Sequence, residues 1–88
     1  MATARDGDLT VELVFTGRFE RASFAAFARH RAGRLDLTAG EPEFAAGRVS
    51  IRIRGQADLI DAFEMALSLG PIDCLVDDVA AYPVDSRA

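Results

Sequence analysis

The segment spanning residues 47–84, GRVSIRIRGQADLIDAFEMALSLGPIDCLVDDVAAYPV, constrains the fold more than any other part of the chain. Val49, Ile51 and Ile53 alternate with Arg48, Ser50, Arg52 and Arg54. Successive strand side chains point to opposite faces, so this spacing predicts a strand over residues 48–54 with one buried face. Gly55 then opens a helix over residues 57–69, whose inward stripe is Leu59, Phe63, Ala66 and Leu67, with Asp58, Asp61 and Glu64 facing water. Gly70 is placed to take the left-handed conformation after the helix, and Pro71 forbids another turn. A last strand starts at Cys74 and runs to Val79, extending toward Val84.

The upstream half follows the same rules. Leu9, Val11, Leu13 and Phe15 alternate with Thr10, Glu12, Val14 and Thr16, which predicts a first strand over residues 9–16. After a connection at residues 17–22, Phe24, Phe27, Ala28 and Arg31 recur at helical spacing, with Ser23 as N-cap. Arg29, His30 and Arg31 suit the negative end of that helix, which runs to about Ala32, and Gly33 suits its left-handed stop. Residues 41–45 are expected as a short edge strand, because Pro42 cannot donate to a central ladder. The order strand, helix, strand, strand, helix, strand predicts an α+β, ferredoxin-like βαββαβ sandwich, with two helices on one face of an antiparallel sheet. It occupies residues 9–84, between tails at 1–8 and 85–88.

A chain of 88 residues that is 50% hydrophobic suits one small domain whose core needs neither metal nor disulfide. Cys74 is the only cysteine and lies in an apolar run, so a buried, inert thiol is expected. One histidine and scattered carboxylates show no metal-ligand spacing, and no cofactor is expected. No stretch approaches the roughly 18 apolar residues of a membrane span, and the expected location is the cytoplasm. The net charge of −4 argues against nucleic acid, whose phosphates need a concentrated basic surface. All ten basic side chains are arginine, which a codon bias explains without any selection for anion contacts.

Laid along nearly the whole chain without a gap, Gly17, Arg18, Phe24, Ala32, Leu35, Leu37, Gly47 and Val49 resemble the acylphosphatase family. Gly55, Phe63, Leu67, Gly70, Pro71, Cys74, Val76 and Val79 continue the resemblance in register. It implies hydrolysis of acyl phosphates by three parts: a VQGVG loop cradling phosphate, an arginine at the loop's end, and an asparagine on the second strand that orients water. Such chemistry rests on positioning and charge stabilisation. Here the loop reads Phe19, Glu20, Arg21, Ala22, Ser23, followed by Phe24. Side chains replace both glycines, and Glu20 adds negative charge. The arginine position is Ala25 and the asparagine position is Glu43. Loss of one well-placed donor costs on the order of 10² to 10³ in rate. The expectation is therefore an acylphosphatase-like domain without the activity, its catalytic positions degenerate at Ala25 and Glu43.

What remains is a candidate anion turn of Arg18, Phe19, Glu20, Arg21, Ala22, Ser23 and Phe24, which would take phosphate or sulfate weakly. Arg21 either folds over the anion or pairs with Glu20. The alternative function is an active acylphosphatase with a rearranged loop, using Arg21 and the amides near Ala22 to Phe24. His30 reads as a helix-end residue. Asp77 and Asp78 point to opposite faces unless a bulge intervenes. The open sheet face presents Arg52 and Arg54 beside Thr10 and Glu12, with a Glu12 to arginine cross-strand pair and no stacking aromatic. A protein partner or a second copy is expected there or on an edge strand.

Overall fold

The computed structural model describes residues 8–84. They form β1 (Asp8–Arg18), α1 (Arg21–Arg34), β2 (Thr38–Ala39), β3 (Glu43–Ala45), β4 (Arg48–Gln56), α2 (Ala57–Leu69) and β5 (Leu75–Pro83). Apart from Asp8, which begins β1, the tails expected at 1–8 and 85–88 lie outside the described residues. The sheet is antiparallel throughout, in the order β2, β4, β1, β5, with β3 also on β4. This is the ferredoxin-like arrangement that the element order predicts.

β2 and β3 are two pieces of one edge. Thr38 and Ala39 lie opposite Arg54 and Ile53, and the Gly40 N–H donates to the Arg52 carbonyl at 2.8 Å. After Pro42 the ladder resumes one residue out of register, with Glu43, Phe44 and Ala45 opposite Ser50, Val49 and Arg48. The strand expected at 41–45 is thus shorter, because proline has no N–H to offer. The two-residue β2 carries too few side chains to show an alternation.

Alternation on β1 and β4 buries Leu13, Phe15, Val49, Ile51 and Ile53 under the helices. α1 contributes Phe24, Ala28 and Ala32, and its two alanines let the helix sit close to the sheet. α2 contributes Ile60, Phe63 and Leu67, while Leu59 and Ala66 are only half-buried. The buried stripe is therefore rotated from the expected one, with Ile60 in the core in place of Leu59. On α1, Phe27 is half-buried and Arg31 lies over its ring at 5.6 Å, outside the core. Each fully buried large apolar side chain contributes about 1.5–3 kcal/mol.

The helix ends differ from the sequence expectation in two places. α1 continues past Gly33 to Arg34, and the left-handed residue is Asp36, at φ 59°. Aspartate tolerates that region, and the Leu37 N–H bonds to the Ala32 carbonyl at 2.9 Å, which closes the helix and drops Leu37 into the core. Gly55 belongs to β4, which runs to Gln56, and α2 starts directly from it. Gly70 ends α2 at φ 66°, as expected.

Gly17 is where β1 changes register against β5: Thr16 faces Asp78 and Gly17 faces Val76, leaving Asp77 as an extra residue. The bulge does intervene between Asp77 and Asp78. A Cβ on Gly17, at φ 154°, would lie 2.0 Å from the Leu75 carbonyl oxygen. Gly17→Ala should therefore lower unfolding free energy by about 2–4 kcal/mol, read as a fall in urea midpoint at unchanged slope. A variant as stable as the native chain would show that the bulge can open at no cost.

Candidate functional site

Only Phe19 and Glu20 separate β1 from α1, so the turn expected at Arg18 to Phe24 is tighter than a loop. Arg18 closes β1, while Arg21, Ala22, Ser23 and Phe24 are the first turn of α1. Aromatic packing sets this geometry. Phe24 is fully buried, with the Phe15 ring edge-on at 5.5 Å and the Phe19 ring edge-on at 4.9 Å.

Glu20 is the N-cap of α1, in place of the expected Ser23. Its backbone is extended, and its Oε1 accepts the Ser23 N–H at 3.1 Å. Its own N–H donates to the Cys74 sulfur at 3.4 Å, and its carbonyl accepts the Phe24 N–H at 2.9 Å. The free N–H groups and partial positive charge of a helix start attract an anion. Here the chain supplies that anion from its own side chain. Glutamate is an unusual cap, and because the bond is made to a backbone N–H, no residue type in the sequence marks it.

Arg21 neither folds over the turn nor pairs with Glu20: its guanidinium lies over the Phe44 ring of β3, 5.5 Å from the centroid. Arg18 is exposed opposite Leu75. Ala25, half-buried, lines a crevice of about 50 Å³ between α1 and residues 39–42. Glu43 lines a different concavity, of about 300 Å³, with Glu12, Ser50 and Arg52. Glu43 lies opposite Ser50 and so shares the sheet's open face. The two catalytic positions implied by the resemblance therefore line different concavities, which adjoin at Gly40 and Glu41. His30 is exposed late in α1, away from the turn.

Cys74 braces the turn from the β5 side. Burial pushes its thiol above the ordinary value of 9.0, partly offset by its hydrogen bond to the Glu20 backbone, with Asp73 adding a further upward push. The thiol is half-buried where the sequence predicts a buried one, because it sits beside the exposed turn and contacts Glu20. Among the described residues, no group of three or more His, Cys, Asp or Glu is placed to hold a metal ion, and no helix is long and apolar enough to cross a membrane.

The open face carries the expected cross-strand pair: Arg52 Nη2 lies 3.4 Å from Glu12 Oε1. Both side chains are substantially exposed, so the pair contributes about 0–1 kcal/mol. Arg54 donates to the Thr10 hydroxyl at 3.3 Å. The face is not without an aromatic group. β5 runs to Pro83 and sets Tyr82, 55% exposed, opposite Glu12, at the rim of a basin of about 460 Å³ floored by Val14 and Ala80.

Two helices over one face of this sheet, with a short turn leading from the first strand into the first helix, define the ferredoxin-like sandwich. Within that class the chain has the acylphosphatase fold. An acylphosphatase from Coxiella burnetii superposes with a TM-score of 0.83 at 21% identity, over 97% of this chain and 90% of its own. An acylphosphatase from Bacillus subtilis gives 0.79 at 23% identity, over 89% and 87%. Full-length HypF, solved in a phosphate- and nucleotide-bound form, gives 0.73 at 16% identity, over 91% of this chain and 11% of that one. No protein-family model matches the sequence, and no curated protein does.

The turn yields two expectations. Glu20→Ala should cost about 0.5–1 kcal/mol by removing the cap, measured by denaturant unfolding, and an unchanged midpoint would show that the cap contributes nothing. The raised Cys74 pKa means that the folded state holds its proton more tightly than the unfolded one. Its contribution to stability is complete below pH 9 and is lost as pH rises through the folded value. Alkylation of the native thiol by iodoacetamide at pH 8 should accordingly be slower than that of free cysteine, and a faster rate would contradict the shift.

Proposed function

We propose that this domain is an acylphosphatase-like module that does not hydrolyse acyl phosphates and works by association through its open sheet face. One observation carries the first half: the Glu20 carboxylate accepts the amide N–H at the start of α1, the kind of donor that a phosphate on this turn would use. Ala25, where the resemblance implies a charged clamp, has no donor, and Arg21 is held over Phe44. An anion arriving here would meet a fixed carboxylate, with Arg21 held away over Phe44. Weak phosphate or sulfate binding at the turn is disfavoured for the same reason.

The choice of face over edge rests on β5. The Val84 N–H bonds to the Thr10 carbonyl at 2.9 Å, so the alternation of the ladder turns the backbone of Val79, Ala81 and Pro83 outward. Pro83 has no N–H, and the Asp77 bulge twists the other end. Only a few outward groups remain for a new strand, a common defence of sheet edges. The opposite edge is broken at Pro42.

The test is acetyl phosphate hydrolysis. The native chain should match the rate in buffer alone. A variant carrying Ala25→Arg, Arg21→Gly and Ser23→Gly, with Glu20→Gln to free the amide, should bind inorganic phosphate more tightly than the native chain in titration calorimetry. Turnover by the native chain would overturn the reading, and its loss in Arg21→Ala would identify Arg21 as the clamp of a rearranged active site.

A further inference from the structure

We propose that the open sheet face is where two copies of this chain meet, about a two-fold axis parallel to the strands and lying between β4 and β1. This rests on the reading of the face as an association surface and names the occupant. The register fixes the layout in rows. Arg54 lies beside Thr10, and Arg52 beside Glu12, with Tyr82 beyond. Ser50 lies between Glu43 and Val14, and Arg48 lies between Ala45 and Thr16, with Asp78 beyond.

A half-turn about this axis keeps each row and exchanges its columns, so β4 lies over β1 of the second copy and the β3 edge over its β5. Arg52 then meets Glu12 of the second copy while Glu12 meets its Arg52. The existing 3.4 Å pair is thereby doubled into a ring of four alternating charges at the axis. In the next row Ser50 meets Val14, both small enough to let the sheets approach to the usual 10 Å or so. Tyr82 falls over Gly40, which sits beside Arg52 and leaves room for the ring.

The remaining charges avoid their like. Arg54 meets Thr10, Arg48 meets Thr16, Glu43 meets Ala80, and Asp78 meets Ala45. An axis along β4 would instead stack its arginines on themselves, which sets the axis where it is. Three arginines on the face meet the carboxylates of Asp8, Glu12, Glu43 and Asp78, a net charge of −1, whereas the whole chain carries −4. Two copies therefore repel less through this face than the charge of the whole chain implies. Four strands at standard spacing give a patch roughly 19 Å wide and about 20 Å long. That is smaller than the roughly 800 Å² per partner of a standard interface, and charged groups lose water on contact. The dimer is accordingly weak, reversible and sensitive to salt.

Sedimentation equilibrium on the intact chain, from micromolar to millimolar concentration at low and high salt, tests this. The native chain should dimerise, and salt should weaken the dimer. Arg52→Glu and Glu12→Arg should each raise the dimer Kd about tenfold or more, and the double exchange should restore it to within about threefold. Thermal melts of all three should stay close to native, since the pair is exposed. A chain that stays monomeric at millimolar concentration, or a dimer indifferent to Arg52→Glu, overturns the proposal. If such a chain also leaves acetyl phosphate untouched, the dimer fails while the absence of hydrolysis stands.

Discussion

The Phe24 ring joins the parts of the molecule that matter for its chemistry. It is wholly buried, with Phe15 of β1 on one side and Phe19 of the connection on the other, and so ties the central strand to the start of α1. A connection of two residues between a strand and a helix leaves the backbone little freedom. With Phe19 turned inward against Phe24, Glu20 sits at the helix start, where its carboxylate reaches the Ser23 amide and its own amide reaches Cys74. The identity of the residue at position 20 then decides what the turn can hold.

Anion binding at a helix start depends on unsatisfied N–H groups and a favourable local potential. Glu20 occupies the Ser23 N–H and makes the local potential less favourable to a second anion, because a tethered carboxylate answers the same electrostatic demand without the entropy of capturing a free ion. Arg21 is withdrawn by a different force, the attraction of a guanidinium to the face of Phe44. The turn that resembles a phosphate cradle in its place along the chain thus behaves as a self-capped helix start. Charge is instead concentrated on the opposite side of the sheet, where β4 lines up its arginines against carboxylates on either flank.

The strong periodicities were legible. The alternation at Val49, Ile51 and Ile53, the bounds of α2 and the Gly70–Pro71 stop appear in the structure where the sequence puts them. The differences lie where a short-range pattern competes with a longer-range contact. Ser23 looks like a cap, yet packing of Phe19 on Phe24 starts the helix three residues earlier. Gly33 looks like a helix stop, yet burial of Leu37 carries the helix on and leaves Asp36 to take the left-handed turn. Tyr82 was hidden because β5 changes register at Asp77, and without the bulge the face of every later residue is undetermined.

What the sequence by itself determined is the fold class and the missing groups. Periods of two and 3.6 residues require only local geometry and the burial of apolar side chains, and an alanine at position 25 has no charge in any structure. What only the tertiary structure decided is where the remaining charged groups go. Glu20 caps α1, Arg21 stacks on Phe44, Glu43 faces away from Ala25, and Tyr82 joins Glu12. Each of these depends on register and packing between segments far apart in the chain, where a shift of one residue reverses the face a side chain occupies.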